Sequence, residues 1–371
     1  MDGPYSSMND LSYVVARASE RARITAIHPS GNELWLATKL IEGDEPTKIG
    51  VVEGGFFAPR FSVSNAHCWE LVCTRKWIYA ALWRKRVREL WRVPMAGGVI
   101  ECVVENIDIP ELTTTAAGEL VYAREERVLV RDDEDRERAI KTASPVRGTC
   151  LRCAGDSLFY TTGGRICRAP LAAGEPEICF ENHSEREDID ATLGPFAVTG
   201  DRIAVVEERA SGQGQILERS LVIRELADRS EIARLAVSGR IKHLRAMGDH
   251  VVWTRVLGPG GHDRIEASIG GSPPQPLADR VGDDLCLTSG VVLYGDRAEL
   301  RSIALTAITP STITARERAV VEAIRAANGA CELTTIGGRS ALRTTQPDGS
   351  RSIQVVSEAE LANIRRALGS D

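Results

Sequence analysis

One short phrase recurs along this chain, and its spacing restricts the fold more than any other feature. The phrase is an apolar strand, a tight turn carrying Gly or a polar residue, and a second apolar strand. Its clearest copy is LRCAGDSLFYTT around Gly155. Others are ITAIHPSGNELWLAT at Gly31, LVCTRKWIYAAL at Arg75, LTTTAAGELVYAR at Gly118, FAVTGDRIAVVEE at Gly200, LRAMGDHVVWTRV at Gly248 and LCLTSGVVLYGD at Gly290. Successive turns lie roughly 37 to 48 residues apart, a period that belongs to repeat architectures. β-Branched and aromatic residues fill the flanks, and Gly-Asp or Gly-Glu supplies the positive φ that a two-residue hairpin turn needs.

A third strand follows each hairpin, as in RELWRVPM, RVLVRDD, RICRAPL, RSLVIREL, DRIEASI and ELRSIAL. A Gly-containing turn and a more polar fourth strand come next, as in VIECVVEN and EPEICFEN. The stretch 158–178, LFYTTGGRICRAPLAAGEPEI, is thereby echoed at 90–103, LWRVPMAGGVIECV. Pro94, Pro170 and Pro273 fall at or just after third strands, where a missing N–H does little harm. Four strands per repeat without intervening helices predict an all-β, seven-bladed β-propeller of four-stranded antiparallel blades, with eight blades as the alternative. The blade text resembles the bacterial YWTD and TolB-like propellers over roughly residues 21–310, and it lacks the Gly-His and Trp-Asp marks of WD40 repeats. That resemblance implies the fold and says little about activity, because propellers host binding modules and enzymes alike.

The ends read differently. Residues 1–20 contain the strand-like LSYVVARA, which suits a ring-closing strand; residues 21–313 form the propeller. From 314 to 371 the periodicity predicts a helix-hairpin-helix appendage. Thr314 with Glu317 makes a capping box, Ala319, Val320, Ala323, Ile324 and Ala327 an apolar stripe, and Asn328-Gly329 a stop. The hairpin ELTTIGGRSALRTTQPDGSRSIQVV follows, and a last helix begins at Ser357 with Leu361, Ile364 and Leu368 on one face. The same hairpin also fits an eighth blade closed by the N-terminal strand.

Composition removes several function classes. At 371 residues and 43% hydrophobic content the chain is globular, and its net charge of −6 argues against a general nucleic-acid binder. No 18-residue apolar run exists and the N-terminus lacks a signal pattern, which points to a cytoplasmic protein with no membrane partner. Nine scattered cysteines suit reduced thiols, and the excess of Arg and Ala hints at a bacterial source. No GxSxG, HExxH, Walker or Rossmann pattern occurs, so no catalytic residue, metal or cofactor is assigned. Cys150 and Cys153 form a CxxC on a strand, where residues three apart point to opposite faces and cannot readily share one ion.

Charge patterning singles out the second repeat. Arg75, Lys76, Arg84, Lys85, Arg86, Arg88 and Arg92 face a lone Glu89 and are interleaved with Trp77, Tyr79, Trp83 and Trp91. Arg with Trp is the composition of interface hot spots, which makes Trp83, Arg84, Lys85, Arg86, Arg88 and Trp91 candidates for contact with a protein partner encoded in the same operon. The plainer reading has the aromatics filling the cores between blades and RKRVR forming a solvated hairpin tip. Asp132, Asp133, Glu134 and Asp135, and the stretch Glu181 to Asp190, are acidic and lack EF-hand spacing. The sequence therefore predicts a non-enzymatic binding or regulatory subunit. The alternative is an enzyme or small-ligand sensor whose site lies at the central channel, built from several inner strands.

Overall fold

The computed structural model describes residues 12–19, 22–40, 46–109, 111–146, 150–162, 164–182, 189–211, 216–256, 263–279, 284–288, 290–307, 331–336, 339–345 and 351–355. The chain divides into two compact units, Met1–Gly271 with Pro276–Ile308, and Ser272–Gln275 with Thr309–Asp371.

In the larger unit each repeat of the sequence becomes a meander of antiparallel strands. Strand β1 (Tyr13–Arg17) precedes β2 (Ala22–Ser30), β3 (Glu33–Leu40), β4 (Thr47–Glu53) and β5 (Phe56–Val63). The next sheet is β6 (Ala66–Cys73), β7 (Trp77–Arg84), β8 (Val87–Pro94) and β9 (Glu101–Glu105). A third holds β10 (Thr113–Thr114), β11 (Leu120–Arg124), β12 (Arg127–Arg131) and β13 (Glu137–Ile140). A fourth holds β14 (Leu151–Ala154), β15 (Ser157–Thr162), β16 (Arg165–Pro170) and β17 (Glu177–Glu181). Two more follow: β18 (Ile189–Thr199), β19 (Arg202–Ser211), β20 (Ile216–Glu225) and β21 (Glu231–Ala236), then β22 (Arg240–Met247), β23 (His250–Val256), β24 (Asp263–Ile269) and β25 (Gln275–Asp279). Last come β26 (Leu285–Thr288), β27 (Val291–Asp296) and β28 (Glu299–Ala304).

The first strands of neighbouring sheets touch one another in a closed circuit, from β2 through β6, β10, β14, β18, β22 and β26 back to β2. That circuit makes the larger unit a β-propeller. The expectation of seven blades, or eight, is corrected by the pairing. Five four-stranded blades stand alone, and the remaining strands form one eight-stranded sheet in the order β2-β3-β4-β5-β1-β28-β27-β26. The physical cause is β1, which runs antiparallel to β28 and also meets β5 at the bridge between Arg17 and Phe56. The Arg17 N–H donates to the Gly55 carbonyl at 3.0 Å, so hydrogen bonding continues across what would otherwise be two edges.

The α/β appendage is corrected too. The described residues of the smaller unit form a three-stranded antiparallel sheet of β29 (Cys331–Ile336), β30 (Arg339–Thr345) and β31 (Arg351–Val355). The helices expected over 314–328 and from 357 lie outside the described residues.

Cores lie between neighbouring sheets. Ile49, Leu71 and Ile78 meet in one, Val121, Leu151 and Tyr160 in another, and Val252, Leu285 and Ile303 in a third. Each buried Leu, Ile or Val contributes about 1.5 to 3 kcal/mol. Cys150 packs with Phe159 and Phe196, whereas Cys153 sits against the Leu151 and Tyr160 core, so the two thiols face different sheets. The echoed phrase has a packing reason as well. A Cβ on Gly174 would lie 2.6 Å from the Pro170 ring, and one on Gly98 3.3 Å from the Pro94 ring. The turn after each third strand thus folds back on its proline.

Four inner strands bulge at one level. Pairing shifts between Ile24 and Ala26, Cys68 and Glu70, Leu193 and Phe196, and Ile241 and His243. The displaced residues Thr25, Trp69, Gly194 and Lys242 each stand six positions before the turn at Gly31, Arg75, Gly200 or Gly248. A bulge bends and twists its strand. At this level side chains that plain alternation would send to one face are re-aimed to the other.

Candidate functional site

Where the inner strands converge they line an open cavity of about 240 Å³ with His28, Glu70, Arg152, Arg245 and Cys286, among others. Three of its polar residues occupy one register position. His28, Arg152 and Arg245 each stand three residues before the turn glycine of their hairpin, at Gly31, Gly155 and Gly248. Glu70 follows the bulged Trp69 on β6, while Glu111 and Asp284 lie on the segments that enter β10 and β26.

The two guanidinium groups are held very differently. Arg152 donates from Nη1 to Glu111 Oε2 at 2.9 Å and from Nη2 to Oε1 at 3.4 Å, and it reaches the Leu151 carbonyl at 2.7 Å. The Leu151 N–H donates to the same carboxylate at 3.1 Å. Arg245 reaches the Leu244 carbonyl at 3.2 Å, and its carboxylate neighbours stand off, Asp284 at 3.8 Å and Glu70 at 4.0 Å. Those distances exceed a hydrogen bond, although buried charges are normally paired and hydrogen-bonded. Asp284 is itself well satisfied: it accepts the Ile27 and Leu285 backbone N–H groups at 2.7 Å each and so ties β2 to β26.

Burial sets the protonation chemistry. Loss of solvent holds the Glu70 carboxyl well above the usual carboxylate range, with Arg245 opposing and Asp284 reinforcing the shift. Asp284 is raised by the same cause against Arg245 and its two N–H donors. Burial lowers His28 to about 4, against a hydrogen bond to the Leu71 backbone, so its ring is neutral at pH 7. Burial pushes the Cys286 thiol up to about 12. The cavity thus combines a neutral imidazole, a carboxyl that favours its proton and a guanidinium with spare donors. That combination binds and orients a polar ligand; no nucleophile–base pair is formed by these contacts.

The basic-aromatic candidates fall on two faces of the β6–β9 blade. On one face Arg84 makes a paired contact to Glu89 at 2.8 and 2.9 Å, Trp91 Nε1 donates to Glu89 at 2.7 Å, and the Arg84 guanidinium lies 5.3 Å from the Trp91 ring centre. On the other, Arg88 sits 5.6 Å from the Trp83 ring centre and donates to the Asp108 carbonyl. Lys85 and Arg86 form the β7–β8 turn with φ of 49° and 68°, and among the described residues neither has a carboxylate within ion-pair distance. Trp83, 38% exposed, lines a groove of about 560 Å³ with Arg86, Arg88, Asp108 and Glu126.

The acidic stretch 132–135 partners Lys76 and Arg92. Arg92 stacks 3.9 Å from the Trp77 ring centre and pairs with Asp135 and Glu101; Thr74 donates to Asp133 at 3.0 Å, and Lys76 reaches Glu134 at 3.5 Å. The second acidic stretch lies mostly outside the described residues. A groove of about 880 Å³ between β10–β13 and β14–β17 is lined by charges that pair with one another, Arg138 with Glu119 and Lys141 with Glu175. Among the described residues no group of three or more His, Cys, Asp or Glu is placed to hold a metal ion.

The axial residues escaped the motif search because they come from separate repeats. The signal that finds them is comparison of one register position across all hairpins, which isolates His28, Arg152 and Arg245.

No family model matches the chain, and no curated protein matches it. Solved structures match over most of their length. Hydrazine synthase of Kuenenia stuttgartiensis aligns at a TM-score of 0.54 and 13% identity, covering 82% of this chain and 98% of that one. The AfRom2 CNH domain gives 0.51 at 9% identity, covering 78% and 98%. The β-propeller domain of the Trilobed protease from Pyrococcus furiosus, described with an open velcro topology, gives 0.50 at 14%, covering 76% and 95%. Likeness at these identities is a likeness of fold.

Proposed function

We propose that this chain is a ligand-binding propeller whose site is the axial cavity. One observation carries the reading: the Arg245 side chain, 19% exposed, lines that pocket with carboxylates no nearer than 3.8 Å. A site that gathers convergent polar groups and a perturbed carboxyl is where a small molecule is best recognised. Ligand binding rather than turnover fits a neutral His28 and buried thiols, since none of these contacts supplies an activated nucleophile. The test is a thermal-shift screen of small polar metabolites against the native chain and Arg245→Met. A ligand that stabilises the first and not the second supports the reading; stabilisation equal in both refutes it.

A second reading has its own observation. Lys85 and Arg86 occupy left-handed backbone at a hairpin tip where Asn-Gly would be relaxed, beside the half-exposed Trp83. Retained strain of this kind is expected where side-chain identity matters. We propose this tip as the contact for a protein partner in a cytoplasmic bacterial complex. Charge reversal at Lys85 and Arg86 should weaken a complex isolated with the native chain at least tenfold, and unchanged affinity would remove the tip from consideration.

A further inference from the structure

The axial cavity holds charges of both signs, and most of them are already matched. Arg152 is taken by Glu111, and Asp284 by two backbone N–H groups. Arg245 and Glu70 remain, 4.0 Å apart. A guanidinium has five N–H donors, and among the described residues only the Leu244 carbonyl lies within hydrogen-bond reach of this one. The Glu70 carboxyl has no hydrogen-bond donor among the described residues, and Arg245 is its ion-pair neighbour at the limit of contact.

Ligand charge follows from this arrangement. A lone anion at Arg245 would be set against Asp284 and would leave the Glu70 carboxyl without a partner, and a lone cation at Glu70 would face Arg245 and Arg152. Like-charge contact in a buried site is costly, whereas opposite charges on one ligand satisfy both walls together.

We infer that the axial cavity takes a small zwitterion, the class that includes the α-amino acids, with Arg245 holding its carboxylate and Glu70 its ammonium group. The inference rests on the axial site proposed above. It also carries a proton balance. Burial favours the protonated Glu70 carboxyl in the empty cavity, with Arg245, Asp284, Arg152 and Glu111 facing it and Cys68 on its own strand. An ammonium group favours the carboxylate, so binding near neutral pH releases the Glu70 proton to solvent.

The test is calorimetry on the full chain at pH 7 with a panel of α-amino acids, each beside its deaminated carboxylate and its decarboxylated amine. We expect at least one amino acid to bind tenfold or more tightly than both truncated forms. Its apparent enthalpy should vary with buffer ionisation enthalpy in the sense of proton release. Glu70→Gln should abolish that variation and weaken binding tenfold or more, with an unchanged circular-dichroism spectrum. Equal binding of the carboxylate alone, lost in Arg245→Met, would overturn the zwitterion and keep the axial site. No binding by any member would overturn the zwitterion; a metabolite screen that also left the melting temperature unmoved would remove the axial site with it.

Discussion

The β7–β8 hairpin and the axial ring are both rich in charge, and they treat it in opposite ways. In the hairpin nearly every charge that the sequence displays is settled locally: Arg84 by Glu89, Arg92 by Asp135, Lys76 by Glu134. The tip, Lys85 and Arg86, lacks a carboxylate partner among the described residues, and Arg88 beside it is held by the Asp108 carbonyl and the Trp83 ring instead. At the axis a few charges drawn from distant repeats meet in a buried space, and Arg245 is left with distant partners. A conspicuous run of charge along a strand is thus a poor guide to function, because its neighbours are free to evolve matching charge. An isolated charge on an inner strand is a better one.

The largest expected effect strikes the axis. Asp284→Ala strands two buried N–H groups and removes a counter-charge of Arg245, which should cost about 3 to 5 kcal/mol in urea unfolding. A loss under about 1 kcal/mol would show that the ring tolerates unmatched groups, and the contrast would collapse.

Next comes a pH dependence confined to the axis. His28 is depressed in the folded chain, so its contribution is present above about pH 6.5 and is lost as pH falls toward about 4, amounting to about 3 kcal/mol at most. Glu70 is raised, so its contribution is present below the ordinary carboxylate pKa and is lost as pH rises. Urea midpoints across pH should therefore sag on the acid side in the native chain and sag less in His28→Gln. Glu70→Gln should remove the fall that begins above the ordinary carboxylate pKa and leave the His28 effect in place.

Glu89→Ala should cost about 1 to 3 kcal/mol by removing the acceptor shared by Arg84 and Trp91. An effect near zero would mean that the hairpin's pairing is surface decoration. The smallest shift has the opposite sign. Replacing Lys85-Arg86 by Asn-Gly should stabilise the fold by about 0.5 to 1 kcal/mol, because both residues occupy left-handed backbone. Calorimetric melting checks it, and a loss of stability would sharpen the case against strain at the tip.

The sequence made the hairpins readable because their turns obey local chemistry. Gly31, Gly155, Gly200 and Gly248 all have φ near +50° to +58°, as a two-residue turn between strands demands. The sheet count was not readable in the same way. Whether β1 merges two sets of strands into one sheet depends on the bridge between Arg17 and Phe56, a contact without any periodicity to announce it. The axial cavity lay between these extremes. Its residues sit at a constant distance from readable turns, and what the sequence hides is which of those positions face the axis. The bulge at Trp69 decides that for Glu70: it leaves Trp69 48% exposed, edge-on to His67, and sets the next residue into the cavity.

The pairing of β1 with β28 has a consequence in time. Tyr13 lies opposite Ser302 and Arg17 opposite Glu299, so a strand that precedes the first hairpin of the propeller finds its partner only near the propeller's end. Every intermediate sheet can form hairpin by hairpin as it emerges, whereas β1 must remain available throughout. Contacts of such long sequence separation are slow to form. Ring closure is therefore expected as the last event of folding, and until it occurs the growing chain keeps an unpaired strand at the edge of β28.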